Sequence, residues 1–279
     1  MKKILIITLF IVGCKSDQTR ENATWSFDSS TGNYIEWQSD NDFANEMTNA
    51  AFGHIYNIEF EKAVVFFEKA ISYDPSLFGP HVVLAGMAPA GSATEKMHID
   101  KAREKVANKN ETSKLFVSLL DLPRESRFWP LLGPNTHEKW AEMRAIEPKG
   151  KLIHFYYAFT IPGRDNKIKE LETLLSEIRD GVGDSKSLSV TGDHSYMEAP
   201  IVNVLGYMYY NKGDKEKAKL LFEEYIDLYP NGYNPYDSMG EFFFNEGDLE
   251  QSKVYYEKAI EKYFGATVAI ERLRELNKD

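Results

Sequence analysis

The stretch LGYMYYNKGDKEKAKLLFEEYIDLYP (205–230) is followed by MGEFFFNEGDLEQSKVYYEKAIEKYF (239–264), and the second repeats the first at an offset of 34 residues. Leu205-Gly206 aligns with Met239-Gly240, Tyr209 with Phe243, Gly213-Asp214 with Gly247-Asp248, and Phe222 with Tyr256. Ala218 against Ser252 and Pro230 against Phe264 are the departures. Each unit reads as a helix ending at Gly-Asp, a tight turn, a second helix and a breaker. A fixed period of this size signals stacked helix pairs, none of which can bury its apolar face alone.

Each repeated residue has a physical reason. Gly206 and Gly240 lack a side chain where the first helix approaches its partner. Gly213 and Gly247 can take the positive φ that ends a helix, and Asp214 and Asp248 can cap the next one. Phe222 and Tyr256 fill the gap between helices, and Pro230 stops the second helix. A third copy lies at the front: Ala51, His54, Ala63, Phe67, Ala70 and Pro75 keep the spacing, although Ile58-Glu59 replaces Gly-Asp. Ala63 and Ala218 are 155 residues apart, which is not a multiple of 34, so the middle departs from the period.

The pattern, with Ala259 among its repeat-defining residues, resembles the tetratricopeptide repeat (TPR). The resemblance implies an all-α, right-handed α-solenoid of about five to six helix pairs with degenerate middle repeats. The clearest repeats are 44–77, 199–232 and 233–266, with a capping helix over 267–279. Between them, helices are expected at Phe78–Ala90, Ile99–Val106, Glu111–Leu122, Glu138–Ile146, Leu152–Phe159 and Lys167–Ile178. Pro123, Pro130, Gly133 and Pro134 forbid a continuous helix. Asp180–Pro200 reads as a long loop.

The amino terminus reads as an address. Met1-Lys2-Lys3 precedes the apolar run Ile4–Val12. Nine residues at about 1.5 Å each cover under half of the roughly 30 Å hydrocarbon core, so the run is too short to span a bilayer. Basic, short and apolar is the form of a signal peptide. The chain's one cysteine, Cys14, closes Ile11-Val12-Gly13-Cys14, which resembles the bacterial lipobox. That resemblance implies cleavage after residue 13, acylation (palmitate) of Cys14 and, with Lys15 following, sorting to the outer membrane. Two or more acyl chains anchor stably where one is marginal. Residues 14–42 read as a lipidated tether, and 43–279 as the helical domain. Loss of Lys2 and Lys3 would move the net charge from −10 to −12.

Composition narrows the function. With 43% hydrophobic and 27% charged residues, the chain can bury a core, which excludes wholesale disorder. The acidic balance argues against nucleic acid, whose binders cluster Lys and Arg. Without further cysteines, disulfides and thiolate metal sites are excluded after processing. No metalloprotease, P-loop, dinucleotide or nucleophile-elbow motif occurs among the six histidines or the glycines, so no metal, cofactor or catalytic residue is assigned. Gly192-Asp193-His194-Ser195 has triad residue types, but sequence neighbours do not converge. Asp180, Asp184, Asp193 and His194 follow no metal-ligand spacing. His54 and His81 read as packing residues.

What remains is the concave wall. In the TPR family, the second, fifth, ninth and twelfth repeat positions face the groove. Carried over, these are Asn203, Tyr207 and Tyr210; Asn234, Asp237, Glu241 and Phe244; and Thr48, Phe52 and Ile55. The Lys/Asn/Arg clamp for a partner's terminal carboxylate is absent from them. The expected function is therefore a non-enzymatic, membrane-anchored scaffold that binds a protein or peptide in the envelope. The alternatives are a solute- or glycan-binding surface lipoprotein, and an enzyme using the 180–200 loop.

Overall fold

A computed structural model of the chain describes residues 35–36, 39–125, 129–148, 150–181 and 198–278. Cys14, the stretch preceding residue 35 and most of the 180–200 loop, His194 included, lie outside the described residues. Within them the structure is all helical, without strands. The helices are α1 (Asp42–Tyr56), α2 (Phe60–Tyr73), α3 (Gly79–Met87), α4 (Ala93–Val106), α5 (Glu111–Ser118), α6 (His137–Ile146), α7 (Lys151–Thr160), α8 (Arg164–Gly181), α9 (Glu198–Lys212), α10 (Lys215–Leu228), α11 (Asn234–Glu246), α12 (Leu249–Lys262) and α13 (Thr267–Leu276). They pack as consecutive antiparallel hairpins, six pairs and a final helix, each leaning on the next. This is a TPR-like helical solenoid.

The repeat residues act locally. Gly213 and Gly247 have φ of +93° and +82°. Asp214 and Asp248 accept backbone N–H groups of Lys217 and Gln251, capping α10 and α12. A Cβ on Gly206 would sit 2.7 Å from the Phe222 ring, and one on Gly240 2.8 Å from the Tyr256 ring. The Ser252 departure is explained as well: its fully buried hydroxyl donates to the Gly240 carbonyl at 3.0 Å. Nothing lies within 4 Å of a Cβ placed on Gly213 or Gly247, so alanine there meets only the left-handed backbone penalty. Gly213→Ala and Gly247→Ala should each cost about 1–2 kcal/mol in urea unfolding, and a change of a few tenths would contradict the turn geometry.

The middle differs from the sequence expectation in several places: α3 is shorter than Phe78–Ala90, and α5 stops at Ser118 before a 3-10 turn over Leu119–Asp121. The helix expected from Ile99 begins at Ala93, because Ser92 caps the Glu95 N–H and Glu95 accepts from Gly91 N–H in return, much as in a capping box. The connection after α5 folds back onto α3: Arg124 donates to the carbonyls of Gly86 (2.8 Å) and Ala88 (3.1 Å). A Cβ on Gly86 would lie 2.2 Å from the Trp129 carbonyl oxygen. This return explains the broken 34-residue phase, since α3 packs against a loop that a regular repeat lacks.

The folded part also starts earlier than residue 43. Ile35 is fully buried in the main core, and the Glu36 N–H donates to Ser113 Oγ at 2.8 Å. The segment is stitched to the start of α5 rather than hanging free. At the other end, α8 extends to Gly181 and α9 begins at Glu198, so both ends of the stretch expected as a loop over 180–200 are helical.

Candidate functional site

The expected groove residues divide into two sets. Thr48, Phe52, Asn203, Asn234 and Asp237 are buried, so five of the ten expected wall residues face protein rather than an open groove. Phe52 belongs to the core, edge-on to Phe67 with centroids 5.0 Å apart. Asn234 Nδ2 donates to the Tyr225 hydroxyl at 3.2 Å. Ile55 is half-buried against the same core. Tyr207, Tyr210, Glu241 and Phe244 stay partly exposed, and all four lie on α9 and α11, the first helices of the repeat tandem.

The solenoid also closes on itself. The α1–α2 turn meets the junction between α10 and α11, some 170 residues away. Tyr229 OH donates to Glu59 Oε2 at 2.8 Å, and the Tyr233 N–H donates to Glu59 Oε1 at 2.7 Å. Lys62 Nζ and His54 Nδ1 each lie 2.9 Å from the same carboxylate. Tyr225 OH donates to Asn57 Oδ1 at 3.0 Å. Tyr233 OH and Thr267 Oγ1 both donate to Glu61, each at 2.7 Å. Across the interior, Tyr56 of α1 packs on Phe155 and Tyr156 of α7, and Tyr156 stacks on Trp140 of α6 at 4.5 Å. Aromatic side chains that would line an open superhelix thus form its core.

Burial raises the Glu59 carboxyl, but the His54 hydrogen bond and the Lys62 charge outweigh it and hold the group below its ordinary range. Sequence reasoning missed this residue. Its signal was present as departures from the repeat register. Ile58 and Glu59 stand where the tandem has Gly213 and Asp214, and Tyr225 stands where the other copies have Ala70 and Ala259. Ile58 takes the left-handed conformation of the glycine it replaces, with φ of +60°, a strained value for a β-branched residue.

Of the histidines singled out, His54 is satisfied by Glu59 and stacks on Phe66. His81 Nδ1 lies 2.8 Å from His98 Nδ1 in the α3–α4 hairpin. Among the described residues no three His, Cys, Asp or Glu side chains converge to hold a metal ion, and no helix is long and apolar enough to cross a membrane.

On the exposed strip, Tyr207 OH donates to Glu241 Oε2 at 2.7 Å, and Tyr210 OH to Glu246 Oε1 at 2.9 Å. These bonds run between equivalent faces of α9 and α11 and fix the two helices in parallel register. Tyr207 packs edge-on to Phe222, and Arg272 lies 4.9 Å from the Phe244 ring centroid. The strip therefore offers aromatic faces for apolar groups and carboxylates for donors. A cleft of about 360 Å³ lies elsewhere, between α8, α9 and α10. Its charged rim is internally paired, with Arg179 bonded to Glu198 and Glu224, and Lys217 to Glu172.

No curated protein matches the chain. Residues 205–232 and 233–261 each match a family model described as tetratricopeptide repeat, in the helices where glycine turns, aspartate caps and ring-over-glycine contacts recur. Residues 205–261 are a tandem of tetratricopeptide repeats.

Proposed function

We propose that the chain is a non-enzymatic scaffold, held on the bacterial envelope by a lipid at Cys14, that receives a segment of another protein on the inner wall of α9 and α11. One observation carries the reading: Tyr207, Tyr210, Glu241 and Phe244 stay partly exposed on neighbouring helices of a TPR tandem, while Thr48, Phe52, Asn203, Asn234 and Asp237 are buried. Tandem repeats of this family suggest protein interaction, and such proteins are generally scaffolds rather than enzymes. Rings with few rotatable bonds, held by hydrogen bonds, lose little entropy when a partner covers them. The lipobox-like Ile11-Val12-Gly13-Cys14 supports anchoring, and the acidic surface disfavours nucleic acid as partner.

The test places a photo-crosslinking amino acid at Tyr210 and, as a control, at the exposed Leu220 on α10. In intact cells a discrete adduct should form from position 210 and not from 220, and Tyr207→Ala should diminish it at least severalfold. Equal labelling at both positions, or a melting-temperature rise with oligosaccharides and none with peptides, would overturn the scaffold reading. Anchoring is separately checked by metabolic labelling with an alkynyl palmitate analogue, which Cys14→Ala should abolish.

A further inference from the structure

The first hairpin carries apolar side chains on its outer side that the protein leaves in solvent. Phe43, 61% exposed in the first turn of α1, stacks on Tyr73, the last residue of α2, with ring centroids 5.5 Å apart. Lys69 Nζ lies 4.8 Å from the Tyr73 ring centroid. Val65, 64% exposed, precedes Lys69 and Tyr73 at four-residue steps, which puts the three on one face of α2. Rings held together in water gain nothing from their apolar area until a surface covers them.

The route of the chain indicates which surface that is. Coming from Cys14, the chain enters the domain beside these rings. Ile35 is fully buried, the Glu36 N–H donates to Ser113 Oγ at 2.8 Å, and the Asn110 N–H donates to Glu36 Oε2 at 2.5 Å. Ser39 Oγ then donates to the Asp74 carboxylate, and Asn41 Nδ2 donates to the carbonyl of Tyr73 itself at 3.3 Å. The entry is thus pinned to the patch. Twenty residues separate Cys14 from Ile35, a length that spans at most about 75 Å. A lipid on Cys14 confines the patch within that reach of the bilayer, at an effective concentration on the order of millimolar. A face too small to hold a free partner suffices under such confinement.

We infer that the Phe43–Tyr73 face seats on the phospholipid interface of the anchoring bilayer, with both rings at headgroup level and the Lys69 ammonium at the lipid phosphates. The inference rests on the anchoring reading above and adds the orientation of the domain. Aromatic rings favour the membrane–water boundary, and a lysine stem lies along apolar surface while its charge stays wet. Asp40 and Asp42 are exposed at the same edge, so the face is not net basic. Apolar contact holds it rather than attraction to anionic lipid, and salt has little effect. The opposite end of the hairpin carries the Glu59 latch, since α1 has 15 residues and rises about 22 Å. Thr267 bonds Glu61 at that latch, so the nearby Phe264, 84% exposed, belongs to the end held away from the bilayer.

The test uses the full lipidated chain, in which acylated Cys14 leaves an introduced cysteine as the sole free thiol. Chains carrying Ser72→Cys, beside Tyr73, or Phe264→Cys are labelled with bimane. They are then incorporated in vesicles of phosphatidylethanolamine and phosphatidylglycerol containing doxyl-labelled phosphatidylcholine. Quenching at position 72 should exceed that at 264 severalfold, in low and high salt alike. Phe43→Ser should remove most of the difference and Phe43→Leu should retain it, with melting curves establishing that both are folded. Equal quenching at the two positions, or none at either in vesicle-bound protein, overturns the seating and leaves the anchor intact. Protein that does not float with the vesicles overturns both. Crosslinking between two copies through position 72, without quenching by lipid, assigns the face to a second copy and rejects the bilayer.

Discussion

Glu59→Ala should lower the unfolding free energy by about 3–5 kcal/mol, the range for removing one partner from a buried charged network. The carboxylate is fully buried and accepts from Tyr229 OH, the Tyr233 N–H and Lys62, with His54 Nδ1 also at 2.9 Å. Deleting it strands these donors and weakens the contact of the α1–α2 turn with the α10–α11 junction, which Asn57 and Glu61 then hold. Glu59→Gln keeps the shape and one acceptor oxygen, and should cost less, about 1–3 kcal/mol. Urea unfolding of both variants measures the difference.

Acid titration provides a second reading of the same group. The carboxyl of folded Glu59 is held below its ordinary value of 4.5. Its contribution is thus present above about pH 4.5 and disappears as pH falls through the folded value. The gap between the native chain and Glu59→Gln should therefore narrow on acidification from pH 6 toward pH 3. A loss under 1 kcal/mol for Glu59→Ala, or a gap that widens in acid, would mean that the ends of the solenoid are not latched through this residue.

Phe222→Ala should cost about 3–5 kcal/mol, as large-to-small changes at buried aromatics do. Phe222 is 1% exposed and lies over Gly206, with Tyr207 at 5.0 Å and Phe242 at 6.1 Å between ring centroids. Gly206→Ala alone should cost about 1–3 kcal/mol, because the new methyl enters the same ring at 2.7 Å. The double variant should be more stable than the sum of the two losses implies, by about 1 kcal/mol or more, since the methyl then occupies space vacated by the ring. Strict additivity would show that the glycine is there for some reason other than the ring. Equivalent coupling is expected for Gly240 and Tyr256, where the approach is 2.8 Å.

The residues whose roles are local could be read directly. Gly213 with Asp214, and Gly247 with Asp248, stop one helix and start the next through backbone geometry spanning four or five residues, and period alone locates them. The same holds for Gly206 against Phe222, because helices joined by a tight turn must pack together. Boundary errors arose where a local signal was overlooked, as at Ser92 and Glu95, where a reciprocal cap begins α4 six residues before the expected start.

The candidate site was only partly legible. The register singled out ten positions as an expected wall, and four of them, Tyr207, Tyr210, Glu241 and Phe244, stay partly exposed. It could not tell that Phe52 and Thr48 would be sealed. Phe52 is instead taken up by the core beside Phe67 and Tyr56. The docking of the α1–α2 turn onto a junction about 170 residues distant is equally unreadable, because nothing within one repeat encodes that distance. The clues were positions where a repeat breaks its own rule: Ile58 for glycine, Glu59 for a capping aspartate, Tyr225 for a small alanine. Each departure gives up local comfort and gains a long-range contact.

On its own, then, the sequence determined a helical-hairpin solenoid with a 34-residue tandem near its carboxyl end, because turn, cap and ring-over-glycine chemistry act between near neighbours. Tertiary structure alone decided that the solenoid closes, which of the expected wall residues stay partly exposed, and that the Asn203 amide and the Asp237 Oδ1 are buried without a hydrogen-bond partner. Those outcomes follow from side chains far apart in the chain competing for the same enclosed space, where loop closure and desolvation must be met together.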